Sequence, residues 1–251
     1  WNCEFFPKAN DSTIQALAEA ILDMSPDIIG FQEIRRAGWF SKLMDYLPTY
    51  NYVISKQTSF LDLAFIYKAA SFTLLNQIEL FAENDYNFAG RPPLQINLEY
   101  ETNESKYILS LINLHMKCCN SGLGRRIKAS NMLYSHIKKL ESYQDRIFIV
   151  LGDWNDDLKD DDGEHCFQSF IDDPFFYFAT ETIVNDIKQA SYPKAPYISF
   201  LDHILLSRNV NQNIISVQTL PIDLWMGGYD VYENYISDHK PVVVKFPKSL
   251  D

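Results

Sequence analysis

Short apolar runs separated by polar positions divide this chain into many strands and a few helices. The clearest run is Ile147–Leu151, five apolar residues rich in β-branched side chains and closed by Gly152. A run of this length is too short for a buried helix and predicts a fully buried strand. Further strands are predicted at Trp1–Phe6, Ile28–Phe31, Tyr52–Ile54, Leu63–Tyr67, Phe72–Phe81, Leu94–Tyr100, Tyr107–Leu114, Ile198–Ser207 and Val242–Phe246.

Apolar residues at helical spacing predict three helices. The first follows a cap supplied by residues 10–13, and its inward positions are Ile14, Leu17, Ala18, Ile21 and Leu22. A short helix is predicted around Phe40–Leu47, and a long one opens at Gly122 with Ile127, Leu133, Ile137 and Leu140 inward. Strands and helices alternate only in part. We therefore expect one α/β (α+β) domain over residues 1–251, with two packed sheets and helices outside.

Composition and charge narrow the function classes. The hydrophobic content of 47% fits a globular protein, and no apolar run approaches the ~18 residues that a membrane span needs. Nothing in the sequence predicts an obligate protein partner. The formal net charge of −11 means that no global field attracts a polyanion. Such a substrate needs metal ions or local basic groups, of which the candidates are Arg35, Arg36, Arg91, Lys117, Arg125, Arg126 and Lys128.

The cysteines and the first residue bear on cellular location. Cys3, Cys118, Cys119 and Cys166 are too few to predict a disulfide scaffold, although a bridge from Cys3 to Cys119 stays open. A zinc site built from Cys118, Cys119, Cys166 and His165 is disfavoured, because adjacent cysteines lack the gap that lets both thiolates face one ion. The Cys118–Cys119 pair belongs either to the rim of a site or to a core. The chain begins at Trp1, inside a predicted strand, so we expect an upstream segment and a secreted or cell-envelope location.

Polar residues at the ends of predicted strands supply the candidate chemistry. Asp153 and Asn155 directly follow the Ile147–Leu151 strand and, in extended geometry, point the same way. An Asx turn would explain this pair alone. Similar groups recur at or beside other strand ends, namely Asn2, Glu33, His115, Asp202, Asp238 and His239. Carboxylates with amide and imidazole nitrogens suit a hard divalent cation together with a phosphate.

The acidic loop 156–164 is a weaker candidate. Aligning Gly163 with the glycine of an EF-hand places Leu158 at the first ligand position and Ser169 at the last. The EF-hand pattern therefore fails, and a solvated turn is expected, with an adventitious Ca²⁺ site as the alternative.

Six short motifs, in order from one end of the chain to the other, resemble the endonuclease/exonuclease/phosphatase superfamily, in its deoxyribonuclease I-like branch. They are Trp1-Asn2, Gln32-Glu33, Asn113-Leu114-His115, Gly152-Asp153-Trp154-Asn155, Leu201-Asp202-His203-Ile204 and Ser237-Asp238-His239. The resemblance implies a four-layer sandwich of two packed mixed sheets flanked by helices. It also implies a phosphoesterase site at one edge of the sheets, with Mg²⁺ as cofactor and Mn²⁺ or Ca²⁺ as alternatives.

The resemblance also implies roles for individual residues. Glu33 and Asn2 resemble the primary metal site, while Asp153 and Asn155 position water and phosphate or hold a second metal. Asp202 would hold His239 as the base, and Asp238 would complete the metal cluster. His115 would form a second acid–base pair, for which Asp62 occupies the position where the family usually has a glutamate. The groups expected to bind the substrate phosphate are Arg35, Arg91, Asn155, His115 and His239.

For the phosphodiester hydrolase that the resemblance implies, the sequence favours nucleic acid as the substrate. Several basic residues follow the Glu33 and His115 strands, and long inserts for lipid or inositide recognition are not apparent. The aromatic residues resemble core, so no stacking platform for unpaired bases is predicted. The alternative is a phosphodiesterase or phosphatase for a small-molecule or lipid phosphoester such as inositol phosphate or sphingomyelin. A non-catalytic module is disfavoured by the complete motif set, and a serine hydrolase by the missing Gly-x-Ser-x-Gly motif.

Overall fold

The computed structural model describes residues 1–101, 105–140, 146–207, 210 and 214–247. Within them, twelve strands form two large sheets and one small ribbon. The strands are β1 Asn2–Phe6, β2 Ile28–Ile34, β3 Tyr50–Ile54, β4 Asp62–Lys68, β5 Phe72–Glu79, β6 Leu94–Glu101, β7 Lys106–His115, β8 Arg146–Asp153, β9 Phe176–Phe178, β10 Asp202–Ser207, β11 Ser216–Thr219 and β12 Val242–Lys245. The helices are α1 Asp11–Met24, α2 Ala37–Met44, α3 Leu123–Leu140, α4 Gln168–Ile171, α5 Ile222–Trp225 and α6 Tyr229–Tyr235. None of these helices is both long and apolar enough to cross a bilayer.

The two sheets are mixed. A four-stranded sheet has the order β1-β2-β4-β3, and a six-stranded sheet has the order β5-β6-β7-β8-β10-β9. β1 runs parallel to β2, and β7 runs parallel to β8, while the other neighbours are antiparallel. This confirms the predicted pair of packed sheets with helices outside.

Successive side chains along each strand point to opposite faces of the sheet, and together they form three apolar layers. In β4, Leu63 and Phe65 face the second sheet, while Ala64 and Ile66 face α1 and α2. In the larger sheet, one face of β7 and β8 packs on α3 and α4, and the opposite face packs on the first sheet. Inner strands such as β4 and β8 are thus buried on both faces, which explains why their sequences are continuous apolar runs rather than alternating ones.

Close approach of the sheets depends on Gly30 and Asn113. A Cβ at Gly30 would lie 2.3 Å from Leu151 Cδ1 on the facing sheet. Beside it, the buried Asn113 amide donates to the carbonyl oxygens of Phe31 and Ala64 at 2.9 and 3.0 Å, and Gln32 donates to Asn113 Oδ1 at 2.6 Å. These bonds fasten the two sheets to each other beside the ends of β2 and β7.

Several local predictions were wrong. Leu22 is 53% exposed rather than inward, and Asn10 makes no side-chain cap bond at the start of α1. Residues 198–201 are outside the strand that begins at Asp202, because Ser199 instead bridges to Tyr192. In the acidic loop, residues 159–164 are exposed as expected, but Asp156 is buried against Arg126.

Candidate active site

Five strands bring polar side chains to one edge of the paired sheets. In the smaller sheet, Asn2 of β1 pairs with Gln32 of β2, one residue before Glu33. In the larger sheet, His115 pairs with Asp153, and Asp202 lies opposite Asp153 on its other side. The residues that the sequence marked at strand ends therefore lie together.

A buried amide links two carboxylates across the sheets. Asn2 Nδ2 donates to Glu33 Oε1 at 3.1 Å and to Asp153 Oδ2 at 3.0 Å. Its Oδ1 accepts from the backbone N–H of Glu4 at 3.0 Å. Asn2 thus holds Glu33 and Asp153 as neighbours, and its role as a metal ligand stays a prediction.

The backbone around this group adopts conformations that L-residues rarely use. Glu4, Phe5, Glu33 and Asn155 have φ values of +33°, +55°, +64° and +54°. The register of β1 with β2 shifts between Asn2 and Phe6, and that distortion directs the Phe5 N–H to Glu33 Oε2 at 3.0 Å. Strained residues of this kind cluster at functional sites, where the surrounding structure compensates their cost.

His239 and Asp202 form a buried dyad. His239 Nδ1 lies 2.7 Å from Asp202 Oδ2. Ser237 Oγ accepts from the His239 N–H and donates to the carbonyl of Asn2, which fixes the loop against β1. Burial lowers the pKa of His239, but the charge and hydrogen bond of Asp202 outweigh burial and raise it to about 10. Asp202 therefore favours the protonated form of His239.

His115 faces the carboxylates from the opposite side. Its Nε2 lies 3.4 Å from Asp153 Oδ2 and 3.8 Å from Glu33 Oε1. Burial lowers the pKa of His115 well below its usual value, and the nearby charges of Arg91 and Lys117 act in the same direction. His115 is therefore the neutral imidazole of the site.

The predicted pairing of His115 with Asp62 is wrong. Asp62 accepts a hydrogen bond from Thr58 Oγ1 instead, and the buried Nδ1 of His115 makes no hydrogen bond to any described residue. The shorter aspartate side chain, at the very start of β4, is held within its own loop.

Asn155 and Asp238 complete the cluster. Asn155 follows β8 in a left-handed turn, in which its N–H donates to Asp153 Oδ1 at 2.9 Å and its amide donates to the carbonyl of Met116 at 3.2 Å. Asp238 Oδ1 lies 3.9 Å from His239 Nε2, and its N–H donates to Glu4 Oε2 at 3.0 Å. The Asx turn at Asp153 is thus real, and it lies inside the site.

Comparison with known proteins decides the family. The family model described as "Endonuclease/Exonuclease/phosphatase family" matches residues 1–223. The chain belongs to the endonuclease/exonuclease/phosphatase family. Members of this family are hydrolases that act on phosphoesters and generally depend on divalent metal ions.

Solved structures show the same fold at low sequence identity. Humanized TDP2 from D. rerio superposes with a TM-score of 0.73 at 16% identity, covering 99% of this chain and 97% of that one. D. rerio TDP2 complexed with a single-strand DNA product gives 0.70 at 15% identity, with 98% and 97% covered. The mannosyl-6-phosphatase of Bacteroides thetaiotaomicron gives 0.67 at 16% identity, with 96% and 92% covered. Among proteins with curated descriptions, no significant match was found.

The endonuclease/exonuclease/phosphatase site has oxygen donors suited to a hard cation. Among the described residues, no group of three or more His, Cys, Asp or Glu side chains forms a metal cluster. Hard divalent cations such as Mg²⁺ bind through one or two carboxylates together with waters and substrate phosphates, so Glu33 and Asp153 are the residues that would hold one here. Burial raises the pKa of Asp153 to about 7, and the charges of Asp202 and Glu33 add to it. A divalent cation here would favour the ionised carboxylates.

The predicted basic groups separate into two sets. Arg91 donates to the carbonyls of His115 and Met116 at 3.1 and 2.7 Å. Burial lowers the pKa of Arg91, while the charges of Asp153 and Glu33 raise it. Arg35 is exposed beside β1, where its N–H bonds to Phe6. Arg126, in contrast, is buried in a bidentate pair with Asp156 at 2.9 and 3.0 Å and supports the fold.

Sequence reasoning missed several residues of the site. Glu4, Ser191 and Ser237 hold Asp238, Asp202 and His239, but they lie in loops or at a distorted strand, where spacing gives no signal. An exposed aromatic pair was missed as well, because it was assigned to the core. Phe5 and Phe60 are 44% and 62% exposed, and their ring centroids lie 6.2 Å apart.

Proposed function

We propose that this protein is a divalent-metal-dependent phosphodiester hydrolase and that its substrate is a nucleic acid. The observation that carries the proposal is the meeting of Glu33 and Asp153, joined by Asn2, with the His239–Asp202 dyad at one sheet edge. Distant segments deliver these groups, so their convergence has no simple role in folding. Buried charges without a structural partner are costly and mark functional sites.

The two histidines and Asp153 divide the chemistry between them. A bound divalent cation would supply charge neutralisation at the phosphate. Asp153 and Asn155, linked by the bond from the Asn155 N–H to Asp153 Oδ1, orient the attacking water, and Asp153 receives its proton. His239 carries a proton held by Asp202, so it donates to the phosphate or the leaving oxygen. This assignment replaces the base role that the sequence predicted for His239.

His115 and Arg91 line the opposite side of the phosphate position. The neutral imidazole of His115 lies 3.4 Å from the Asp153 carboxylate. Arg91 donates to the backbone carbonyls of His115 and Met116 and adds positive charge beside the carboxylates. We place the phosphodiester between these two side chains and the carboxylates proposed to hold the metal.

Two surface features support nucleic acid over a sugar phosphate. Phe5 donates its backbone N–H to the Glu33 carboxylate, and its exposed ring lies 6.2 Å from that of Phe60, which is exposed as well. Aromatic side chains beside a phosphate site stack on unpaired bases and contribute about 1–3 kcal/mol per base. Arg35 lies on the same rim and suits a flanking phosphate.

The test compares substrates under one set of conditions. The purified protein is incubated with supercoiled plasmid, a single-stranded oligonucleotide, bis(p-nitrophenyl) phosphate and mannose 6-phosphate, with Mg²⁺ and with EDTA. We expect Mg²⁺-dependent cleavage of the nucleic acids, lost in EDTA and in Asp153→Asn. If only mannose 6-phosphate is hydrolysed, the protein is a sugar phosphatase and the nucleic-acid part of the proposal is wrong. No hydrolysis of any substrate with Mg²⁺, Mn²⁺ or Ca²⁺ would overturn it entirely.

A further inference from the structure

Two adjacent thiols lie at the rim of the site and take no part in the proposed chemistry. Cys118 and Cys119 follow His115 in the loop between β7 and α3, and both are reduced. Their sulfur atoms lie 3.0 Å apart, with the Cys119 S–H donating to Cys118. Cys119 is exposed and Cys118 half-buried, whereas Cys3 and Cys166 are buried. Only this pair can meet a reagent in solution.

The environment of Cys118 favours a reactive sulfur. Lys117 Nζ lies 3.3 Å from Cys118 Sγ. Burial alone would raise the pKa of Cys118, but the hydrogen bonds from Cys119 and Lys117 outweigh it, and the charge of Arg91 acts in the same direction. The thiolate is the form that attacks electrophiles and binds soft ions, and cationic neighbours stabilise it.

The loop also holds both sulfur atoms in one orientation. Cys119 has φ +69°, and its carbonyl accepts from Gly122 N–H and Arg126 Nη1, each at 2.8 Å. Arg126 Nη1 bonds to the carbonyl of Lys117 as well, at 3.0 Å. Because Arg126 is itself fixed by Asp156, the turn that presents the two thiols is anchored in the core.

Geometry distinguishes two possible reactions of such a pair, namely a disulfide between the two sulfurs and a single atom bound to both. Neighbouring Cα atoms across a trans peptide lie about 3.8 Å apart, whereas disulfides span about 4.4–6.8 Å between Cα atoms. A bond between Cys118 and Cys119 would therefore be strained and easily reduced. A single soft atom bridging both sulfurs meets no such restriction.

We infer that Cys118 and Cys119 form a vicinal dithiol site that binds a trivalent thiophilic metalloid, represented by an organoarsenical, through both sulfurs. In water phenylarsine oxide reacts as its hydrate, C6H5As(OH)2: two S–H and two As–O bonds break, two As–S and two O–H bonds form, and two water molecules leave, so arsenic stays trivalent and no oxidation occurs. The bound group would lie beside Lys117, in the loop that follows His115 and whose first residues Arg91 holds. Phosphoester hydrolysis should therefore slow when the dithiol is occupied.

Retention of phenylarsine oxide tests the site independently of catalysis. The native protein is treated with phenylarsine oxide, washed in excess 2-mercaptoethanol and measured by intact mass. We expect one phenylarsenic group per chain, resistant to the monothiol and removed by 2,3-dimercaptopropanol. Cys118→Ser and Cys119→Ser should each lose the resistance, since one thiol cannot chelate. Far-UV circular dichroism of both variants checks the fold.

Two results would overturn the inference. One is equal retention by the Cys118→Ser/Cys119→Ser double variant, which keeps Cys3 and Cys166. The other is loss of the arsenical from the native protein in monothiol. A separate arm measures phosphodiester hydrolysis of the loaded protein, and an unchanged rate would remove the link between the dithiol and the phosphate site while leaving the binding result intact.

Discussion

At the scale of single residues, the site depends on groups that hold other groups in place. Asp202 fixes His239, and Asn2 fixes Glu33 and Asp153, so each partner sets the charge or position of an acid–base or metal-binding side chain. The contacts of Asn2 with Asp153 and of Asp202 with His239 are buried, and that of Asn2 with Glu33 is partly buried. Because loss of a buried contact also lowers stability, unfolding of each variant is measured beside its kinetics.

Asp202→Asn should lower kcat for phosphodiester hydrolysis by about 10²- to 10⁴-fold, the usual range for one acid–base group. The amide cannot stabilise a protonated His239, so the proton donor is lost. Steady-state kinetics on a chromogenic phosphodiester measures the effect. Asp62→Asn is the matched control, since Asp62 contacts Thr58 and not the site histidines, and its kcat should stay near that of the native protein. Equal losses in both variants would contradict the assignment.

Asn2→Ala should raise the Mg²⁺ concentration for half-maximal activity by about 10- to 100-fold, as loss of a group that orients metal ligands commonly does. Without the amide, the carboxylates of the buried Asp153 and the partly buried Glu33 repel each other and lose their fixed positions. Titration of activity against Mg²⁺ measures the shift, and Asn51→Ala on the exposed face of β3 is the control. An unchanged Mg²⁺ requirement with normal activity would remove Asn2 from the metal site.

At the scale of elements, the site is set by where strands end and how closely they pack. The apolar runs predicted most strands well, because a buried strand is a short, continuous run of apolar residues in the sequence. The sequence could not show that β1 and β2 distort at Phe5 and Glu33, since positive φ at non-glycine residues leaves no compositional trace. It also could not show that the chemically plausible Asp62 stays in its own loop, because that depends on a local bond to Thr58.

Gly152→Ala should destabilise the protein by about 3 kcal/mol or more, which is the range of strained-backbone substitutions. Gly152 has φ +141°, and a Cβ there would lie 2.0 Å from the carbonyl oxygen of Leu114. Gly124→Ala in α3 is the matched control. Its Cβ meets nothing within 4 Å, and it should stabilise by about 0.5–1 kcal/mol. Urea unfolding of both variants measures the difference, and equal shifts would show that the β7–β8 spacing tolerates a methyl group.

Arg126→Ala should lower the free energy of unfolding by about 3–5 kcal/mol, because it leaves Asp156 buried without its cation. Arg125→Ala is the control one residue earlier, where the side chain is half-buried and contacts Tyr86, and its cost should be about 1 kcal/mol or less. Chemical denaturation gives both values. A cost for Arg126→Ala as small as that of Arg125→Ala would show that water replaces the pair.

At the scale of the whole molecule, an acidic protein is proposed to bind a polyanion. The formal charge of −11 opposes approach, so attraction must come from the metal and a few basic groups such as Arg91 and Arg35. The sequence predicted that such a substrate needs metal ions or local basic groups, and this stays a prediction. It could not assign Arg126 to the core or Phe5 and Phe60 to the surface, because both depend on packing between distant segments.

Cleavage of DNA should depend only weakly on salt. Each neutralised phosphate contributes about −0.9 to the slope of log binding constant against log salt for duplex DNA, so contacts from two or three basic groups predict a slope of about −2 to −3. Measuring kcat/KM against KCl concentration at saturating Mg²⁺ gives this slope. A slope near −10 is typical of an extended basic surface and would contradict binding through only two or three basic groups at the site.

Asn113 has a consequence for heat and pressure. The catalytic groups are divided between the two sheets, with Glu33 on one and His115 and Asp153 on the other, and a single amide fastens Phe31 and Ala64 across the gap. Warming or compression that lets the layers slip by a fraction of a strand spacing would misalign the reacting atoms while leaving each layer folded. Catalytic activity should then be lost several degrees below the unfolding temperature. Substitutions that adapt the protein to higher temperatures should therefore occur first at Asn113 and its contacts between the sheets.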